Sequence, residues 1–237
     1  MKELLVIDDD QTTLSKVSSF LSKSGYRTVV ADNGQEGLDI IEKNEALCLI
    51  IVDIMMPVMD GIEFVRRIRA EKKYNHIPII MLTSMSDITD KYMGFDAGAD
   101  DYITKPFEPL ELLMRIQALI KRAAYFSEEE MKKFYLDSKK SRLAINEKDF
   151  SVNIDGRDVY LTAVEFDMLC YLYSNAGSVV ATEDILQKVL NYPPKTGNPE
   201  SVRTHIKNIR SKIEHNQSKP EIIITIPKRG YRFNLPK

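Results

Sequence analysis

The chain has 237 residues, 43% hydrophobic and 29% charged, a composition normal for a soluble globular protein with room for one large domain or two ordinary ones. Its formal net charge of −2 hides an asymmetry: residues 1–122 carry 15 Lys+Arg and 20 Asp+Glu, residues 123–237 carry 18 and 15, and residues 196–237 carry 9 and 3. No apolar run approaches the roughly 18 residues that span a bilayer, and Asp8-Asp9-Asp10 interrupts the first apolar run too early for a signal peptide, so a cytoplasmic chain with no membrane partner is expected.

The first 122 residues alternate short apolar strands with amphipathic helices. The expected strands are Glu3–Ile7, Arg27–Val30, Cys48–Val52, Pro78–Leu82 and Tyr102–Thr104. Helical stretches fall near 12–24, 34–44, 61–71, 88–97 and 109–122. Leu14, Val17 and Leu21 recur at helical spacing in the first, and Leu112, Ile116 and Leu119 in the last. Five βα units of this length predict a doubly wound, five-stranded parallel sheet of the α/β class. The pattern stops in a linker, 123–133. From residue 134 onward the grammar changes. Short strand candidates at Phe134–Leu136, Leu143–Ile145, Ser151–Ile154 and Asp158–Leu161 predict a small antiparallel sheet. Helices at Thr162–Asn175, Thr182–Leu190 and about Pro199–Glu214 follow. The chain closes with Glu221–Ile226 and Tyr231–Asn234, a hairpin with the basic tip Pro227-Lys228-Arg229-Gly230. Helices followed by a basic hairpin describe a winged helix over 134–237. Cys48 and Cys170 lie far apart in apolar stretches and are expected as small core residues.

The chemistry is expected where strands end on polar residues. Asp53 ends the apolar run Leu49-Ile50-Ile51-Val52, and Asp8-Asp9 ends Leu4-Leu5-Val6-Ile7. In open α/β sheets ligands bind at this carboxyl edge. Three carboxylates gathered there repel one another unless a cation sits among them, which points to a hard divalent ion and a reactive aspartate. Thr83 ends the fourth strand and Lys105, followed by Pro106, ends the fifth. A hydroxyl, an ammonium and Tyr102, a ring able to change rotamer, complete a phosphate site. A doubly wound nucleotide or flavin enzyme would need a glycine-rich loop after the first strand. The loop here, Asp8-Asp9-Asp10-Gln11-Thr12-Thr13, is acidic and has no glycine.

With these residues in order, 1–122 resembles the receiver domain of two-component response regulators, a CheY-like or flavodoxin-like fold. Residues 134–237 resemble the winged-helix DNA-binding output domain of the OmpR/PhoB subfamily. The resemblance implies that Asp53 is the phosphoacceptor for a sensor histidine kinase. It implies Mg2+ held by Asp8, Asp9, Asp53 and the backbone carbonyl of Met55, with Thr83, Tyr102 and Lys105 as phosphoryl-binding and switch residues. Beyond self-phosphorylation and slow autodephosphorylation no enzyme activity is implied. A receiver that only dimerises, without phosphoryl chemistry, is the rival reading.

In the family the fourth helix, fifth strand and fifth helix form a homodimer face. The matching apolar patch here is Ile88, Phe95 and Leu113. The matching charges are Lys91 with Glu111, and Asp100 and Asp101 with Arg115 and Arg122. One usual pair is absent, because Asp96 faces Gln117.

The third output helix, drawn as a wheel, turns Val202, Ile206, Ile209 and Ile213 to the core. The opposite sector holds Thr204, Lys207, Asn208 and Ser211, expected to face the bases of double-stranded DNA. Ser201, Arg203, His205 and Arg210 flank it, expected at phosphates. The wing departs from the family. Pro227 stands where many members have a minor-groove arginine, and Lys228 replaces the first glycine of the turn. Lys228 or Arg229 is left to enter the groove, with Tyr231 for a phosphate. The loop 191–198 either touches RNA polymerase, as the resemblance implies, or only joins two helices. This loop and the Val202–Ile206 stretch resemble cyanobacterial members most.

Overall fold

The computed structural model describes residues 1–84, 97–120, 143–146 and 149–235. The chain forms two compact units, Met1–Ile120 and Lys121–Lys237. The expected linker 123–133, the strand Phe134–Leu136, most of the helix near 88–97, and Ile88, Lys91, Phe95 and Arg122 lie outside the described residues.

In the first unit five strands, β1 (Glu3–Ile7), β2 (Arg27–Ala31), β3 (Leu47–Asp53), β4 (Ile79–Thr83) and β5 (Asp101–Thr104), pair in parallel in the order β2-β1-β3-β4-β5. Leu4–Ile7, Leu49–Val52 and Ile79–Leu82 are wholly buried. A parallel sheet covered on both faces demands such continuous apolar runs, which is why these strands read so plainly. Helices α1 (Gln11–Lys23), α2 (Gly34–Lys43), α3 (Gly61–Ala70) and α4 (Pro109–Ile120) bury one stripe each: Leu14, Val17 and Leu21 on α1, Phe64, Val65 and Ile68 on α3, Leu112, Ile116 and Leu119 on α4. Asp10, Asn33 and Asp60 cap the first three by accepting backbone N–H groups of the first turn.

The sheet's other edge is tied by a buried ion pair. Arg69, at the end of α3, meets Asp100 at 2.8 Å and also donates to the carbonyls of Gly98, Tyr74 and Ile77. Asp100 in turn accepts the N–H of Ile79. Asp100 is 2% exposed. The expectation that it joins Asp101 on a surface dimer face is therefore corrected: Asp100 points inward, to a partner 31 residues upstream.

In the second unit β6 (Leu143–Asn146), β7 (Ser151–Ile154) and β8 (Arg157–Tyr160) form an antiparallel sheet. Helix α5 (Ala163–Ser174) starts with a capping box of Thr162 and Glu165. Then come β9 (Val179–Val180), α6 (Thr182–Lys188), α7 (Pro199–Ile213), β10 (Ile223–Ile226) and β11 (Gly230–Phe233). Strand β9, unforeseen in the sequence, pairs with β11 and makes the terminal hairpin a three-stranded sheet. Two residues carry no alternation to detect.

Replacing Asp100 with alanine leaves the buried Arg69 guanidinium with its carbonyl acceptors but without the Asp100 carboxylate. We expect the first unit to lose about 3–5 kcal/mol, read by urea denaturation.

Candidate functional site

Parallel register brings the ends of β1, β3, β4 and β5 to one edge. Ile7 pairs with Val52, Asp53 with Leu82, and Thr83 with Thr104. Asp8, one residue past β1, is 0% exposed, Asp53 is 5% and Thr83 is 0%. Asp9 turns to solvent. The Lys105 ammonium lies between the two buried acids, 2.7 Å from Asp8 and 2.5 Å from Asp53. Asp53 also accepts the N–H of Met55 at 2.8 Å, and the backbone N–H of Lys105 donates to the carbonyl of Thr83 at 2.6 Å. Tyr102, two residues before the end of β5, is buried.

Burial raises the Asp53 pKa above the carboxylate value, and the hydrogen bond and charge of Lys105 only partly offset it. Burial also pulls Lys105 down, but its bonds to Asp53 and Asp8 outweigh that and leave it raised. Lys105 is thus held charged, and Asp53 is an acceptor whose negative charge is incompletely compensated.

Of the three acids expected to converge, Asp8 and Asp53 meet at Lys105, and Asp9 is exposed beside them. Among the described residues no group of three acid, His or Cys side chains stands close enough to hold a metal. Lys105 occupies the space between Asp8 and Asp53, and Asp9 stays outside. The donor chemistry still fits magnesium: Asp8, Asp9, Asp53 and the Met55 carbonyl offer only oxygens, and two of the carboxylates already sit in a buried site that requires a cation.

Two neighbours shape the loop after Asp53. Val58 has φ 68° and is 86% exposed, a left-handed conformation that a β-branched residue rarely adopts. Gly61 donates its N–H to the Ile54 carbonyl, and a Cβ there would collide with the carbonyl oxygen of Asp53. In the sequence Asp60-Gly61 carries no signal beyond a helix start, because the collision that requires glycine is with a carbonyl eight residues earlier. Beside Lys105 lies an apolar cavity of about 470 Å3, lined by Thr13, Lys16, Val17 and Phe20 of α1 and by Pro106, Phe107, Pro109 and Leu112.

On the surface expected to dimerise, Arg115 bridges Asp101 at 3.0 Å and Glu111 at 3.1 Å within the same chain. Glu111 thus has an intrahelical partner besides the expected Lys91. Leu113 is half-buried on α4, and Leu110 and Met114 are exposed beside it.

In the second unit Val202, Ile206, Ile209 and Ile213 are buried as the wheel requires. Arg203, Lys207 and Ser211 are exposed and Asn208 is half-exposed. Three expected DNA contacts are corrected. Thr204, Ser201 and His205 are 2%, 3% and 1% exposed, so this conformation does not offer them to a groove. The Thr204 and Ser201 hydroxyls turn back to the carbonyls of Glu200 and Asn198. Arg210 is half-buried and engaged with the hairpin: its guanidinium donates to the Ile223 carbonyl and the Thr225 hydroxyl. Tyr231 is 6% exposed and lies against Arg210, so its expected phosphate contact is corrected too.

At the wing tip Lys228 and Arg229 are exposed. Lys228 has φ 61°, and Arg229 N–H donates to the Ile226 carbonyl at 3.0 Å. The turn therefore keeps, with a lysine, the left-handed position that usually takes glycine after proline. The loop 191–198 is exposed but built: Tyr192 N–H donates to Leu186, Lys195 N–H to the Glu183 carboxylate, and Thr196 to Pro193.

A doubly wound parallel sheet with an acid–lysine pocket at its carboxyl edge, joined to a helix-and-hairpin unit with a basic tip, defines a signal receiver coupled to a DNA-binding module. Residues 4–117 match the family described as response regulator receiver domain, and 156–233 match the one described as transcriptional regulatory protein, C terminal. The chain is 36% identical to the alkaline phosphatase synthesis transcriptional regulatory protein PhoP of Bacillus subtilis, over 100% of this chain and 98% of that one. It is 34% identical to the DNA-binding dual master transcriptional regulator RpaA of Synechocystis, over 99% and 96%. Among solved structures, the response regulator DrrB of Thermotoga maritima, an OmpR/PhoB homologue, is 33% identical over 99% of both chains, with a TM-score of 0.50. The chain belongs to the OmpR/PhoB response regulators, the DNA-binding transcriptional regulators of two-component systems. Its likeness to a cyanobacterial relative is matched by its likeness to a Bacillus one.

Gly61→Ala is expected to cost about 1–3 kcal/mol through displacement of the Asp53 backbone, measured by denaturation. It should also slow phosphorylation by acetyl phosphate. A second expectation follows from the raised Asp53 pKa. The stability linked to this group is fully present below the ordinary carboxylate pKa and is lost as pH rises through the raised value. Asp53→Asn should therefore raise the melting temperature at neutral pH, and the gain should shrink as pH falls through the carboxylate range.

Proposed function

We propose that Asp53 is the phosphoacceptor and that its phosphorylation controls DNA binding by the second unit. The observation that carries this reading is the Lys105 ammonium held between Asp53 and Asp8 at the carboxyl edge of the sheet. A carboxylate oxygen of Asp53 attacks the phosphorus of a kinase phosphohistidine. The new O–P bond forms as the P–N bond breaks, and the leaving imidazole takes up a proton. Lys105 then pairs with the phosphoryl oxygens, and Thr83, whose carbonyl already holds the Lys105 backbone, lies in reach of the rearrangement. Receiver domains generally require Mg2+ for this step. Asp8, Asp9, Asp53 and the Met55 carbonyl would hold the ion, which supplies neutralising charge to the transferred group.

The exposed apolar residues of α4 support pairing of two chains through that face, with Ile88, Lys91, Phe95, Asp101, Glu111, Leu113, Arg115 and Arg122 as its expected members. A symmetric dimer places two winged helices on adjacent half-sites of double-stranded DNA. Lys207, Asn208 and Ser211 read bases, and Arg203, Lys228 and Arg229 supply positive charge to phosphates or the minor groove. The exposed, hydrogen-bonded loop 191–198 is a surface for RNA polymerase. Domain limits of 1–122, 123–133 and 134–237 fit this division of labour.

Gel-shift affinity on chromosomal DNA fragments, with and without beryllofluoride, tests the switch. The expected result is tighter binding with beryllofluoride and none of that gain in Asp53→Ala; equal affinity in all cases sinks it. Lys207→Ala and Arg229→Ala should each reduce the slope of log affinity against log salt by about 1 if they neutralise a phosphate.

A further inference from the structure

We infer that Arg210 and Glu214 clamp the wing to the recognition helix and so position the DNA contacts without making them. Both lie at the end of α7, one turn apart. Arg210 Nε and Nη2 donate to the Ile223 carbonyl at 2.9 and 2.6 Å, and Nη2 also donates to Thr225 Oγ1 at 2.8 Å. The Glu214 carboxylate, 7% exposed, accepts the backbone N–H groups of Glu221, Ile222 and Ile223 at 2.9–3.2 Å. Ile223, the first residue of β10, is therefore held from both sides by one helix: its N–H by Glu214 and its carbonyl by Arg210. The helix continues unbroken to this point, since Glu214 N–H donates to the Arg210 carbonyl.

Three features separate this arrangement from an ordinary basic helix end. An acid at a helix C-terminus opposes the helix dipole and is unfavourable without partners of its own; Glu214 has three. Arg210 faces the hairpin, and burial lowers its pKa from the arginine value although Tyr231 and Glu214 act to raise it. The clamp also grips the hairpin at its root. From Ile223 to Lys228 an extended chain covers about 16 Å, so a 10° rotation at the root shifts the tip by about 3 Å, comparable to a whole hydrogen-bond length. The spacing between the readers Lys207 and Asn208 and the tip residues Lys228 and Arg229 is then set by these two side chains.

The inference rests on the DNA-binding reading, and the test separates the two. Full-length protein with beryllofluoride is used to select sites from a random double-stranded DNA library. The selected DNA is then footprinted with wild type, Glu214→Gln, Arg210→Lys and Thr225→Val. Glutamine keeps the size of Glu214 but presents an amide NH2 to the backbone N–H groups. Electrostatics alone predicts that removing this acid tightens DNA binding, whereas the clamp predicts weakening of about tenfold. The clamp also predicts loss of protection under the wing while protection under the helix persists. Arg210→Lys keeps the charge and loses the paired grip, so it should give the same split footprint with an unchanged salt slope. Thr225→Val should give a milder version. If Glu214→Gln does not fold, as judged by its circular dichroism, the lysine and valine variants carry the test. Folded variants with full wing protection and wild-type affinity overturn the clamp alone. A wild type that selects no DNA overturns the DNA reading and the clamp with it.

Discussion

The first unit depends on one electrostatic requirement: two carboxylates buried at neighbouring strand ends must share a cation. Two like charges about 4 Å apart repel by about 4 kcal/mol even at an effective dielectric of 20. That is a large part of the 5–15 kcal/mol by which a domain is stable. Lys105 supplies the cation, and supplying it fixes much else. The end of β5 must lie on the same edge as β1 and β3, although β4 intervenes in the sheet. The Thr83 carbonyl holds the Lys105 backbone in place. A phosphoryl group adds about −1.5 to −2 charges at the same spot. The lysine then faces a stronger competitor for its hydrogen bonds than Asp8, and whatever is covalently tied to residues 101–107 feels the change.

The parts of this structure visible in the sequence are those whose cause is local or periodic. Strands buried on both faces must be continuously apolar, so β1, β3 and β4 stood out within a residue or two. The Leu14, Val17 and Leu21 stripe and the Val202, Ile206, Ile209 and Ile213 stripe are periodic in their own helices and needed no distant partner. Asp100 and Asp101 show where this fails. They are adjacent and chemically alike, yet successive residues of a strand face opposite ways. Both are buried, but one meets Arg69 of α3 and the other Arg115 of α4, and only the fold says which. Thr204 fails for a related reason. A wheel ranks positions about one axis, whereas burial depends on everything packed round it. Arg210 and Glu214 were hidden because a basic helix end near a predicted hairpin looks the same whether it faces DNA or holds the hairpin.

The wing shows how a local rule is broken without loss of geometry. A lysine in the left-handed region costs about 1–2 kcal/mol relative to glycine. Such strain persists where the surroundings over-determine the backbone. Here Gly230 packs against the Val180 carbonyl so closely that no side chain fits, β11 is paired on both sides, and β10 is held by α7. With both strands fixed, the connecting turn has no other course, and Lys228 adopts it. The exchange places a second positive charge at the tip, next to Arg229.

The charge distribution limits how phosphorylation can act on DNA binding. Residues 1–122 carry a net −5 and residues 196–237 a net +6. A phosphoryl group on Asp53 makes the acidic part more acidic, which taken alone repels DNA. Beyond the Debye length of about 8 Å at physiological salt that repulsion is mostly screened, so it is weak, but its sign is wrong for activation. A gain in affinity on phosphorylation therefore has to come from geometry. Two basic units brought to one duplex gain through their effective concentration, a factor that can reach a hundredfold or more. Against that, the added charge is a small term.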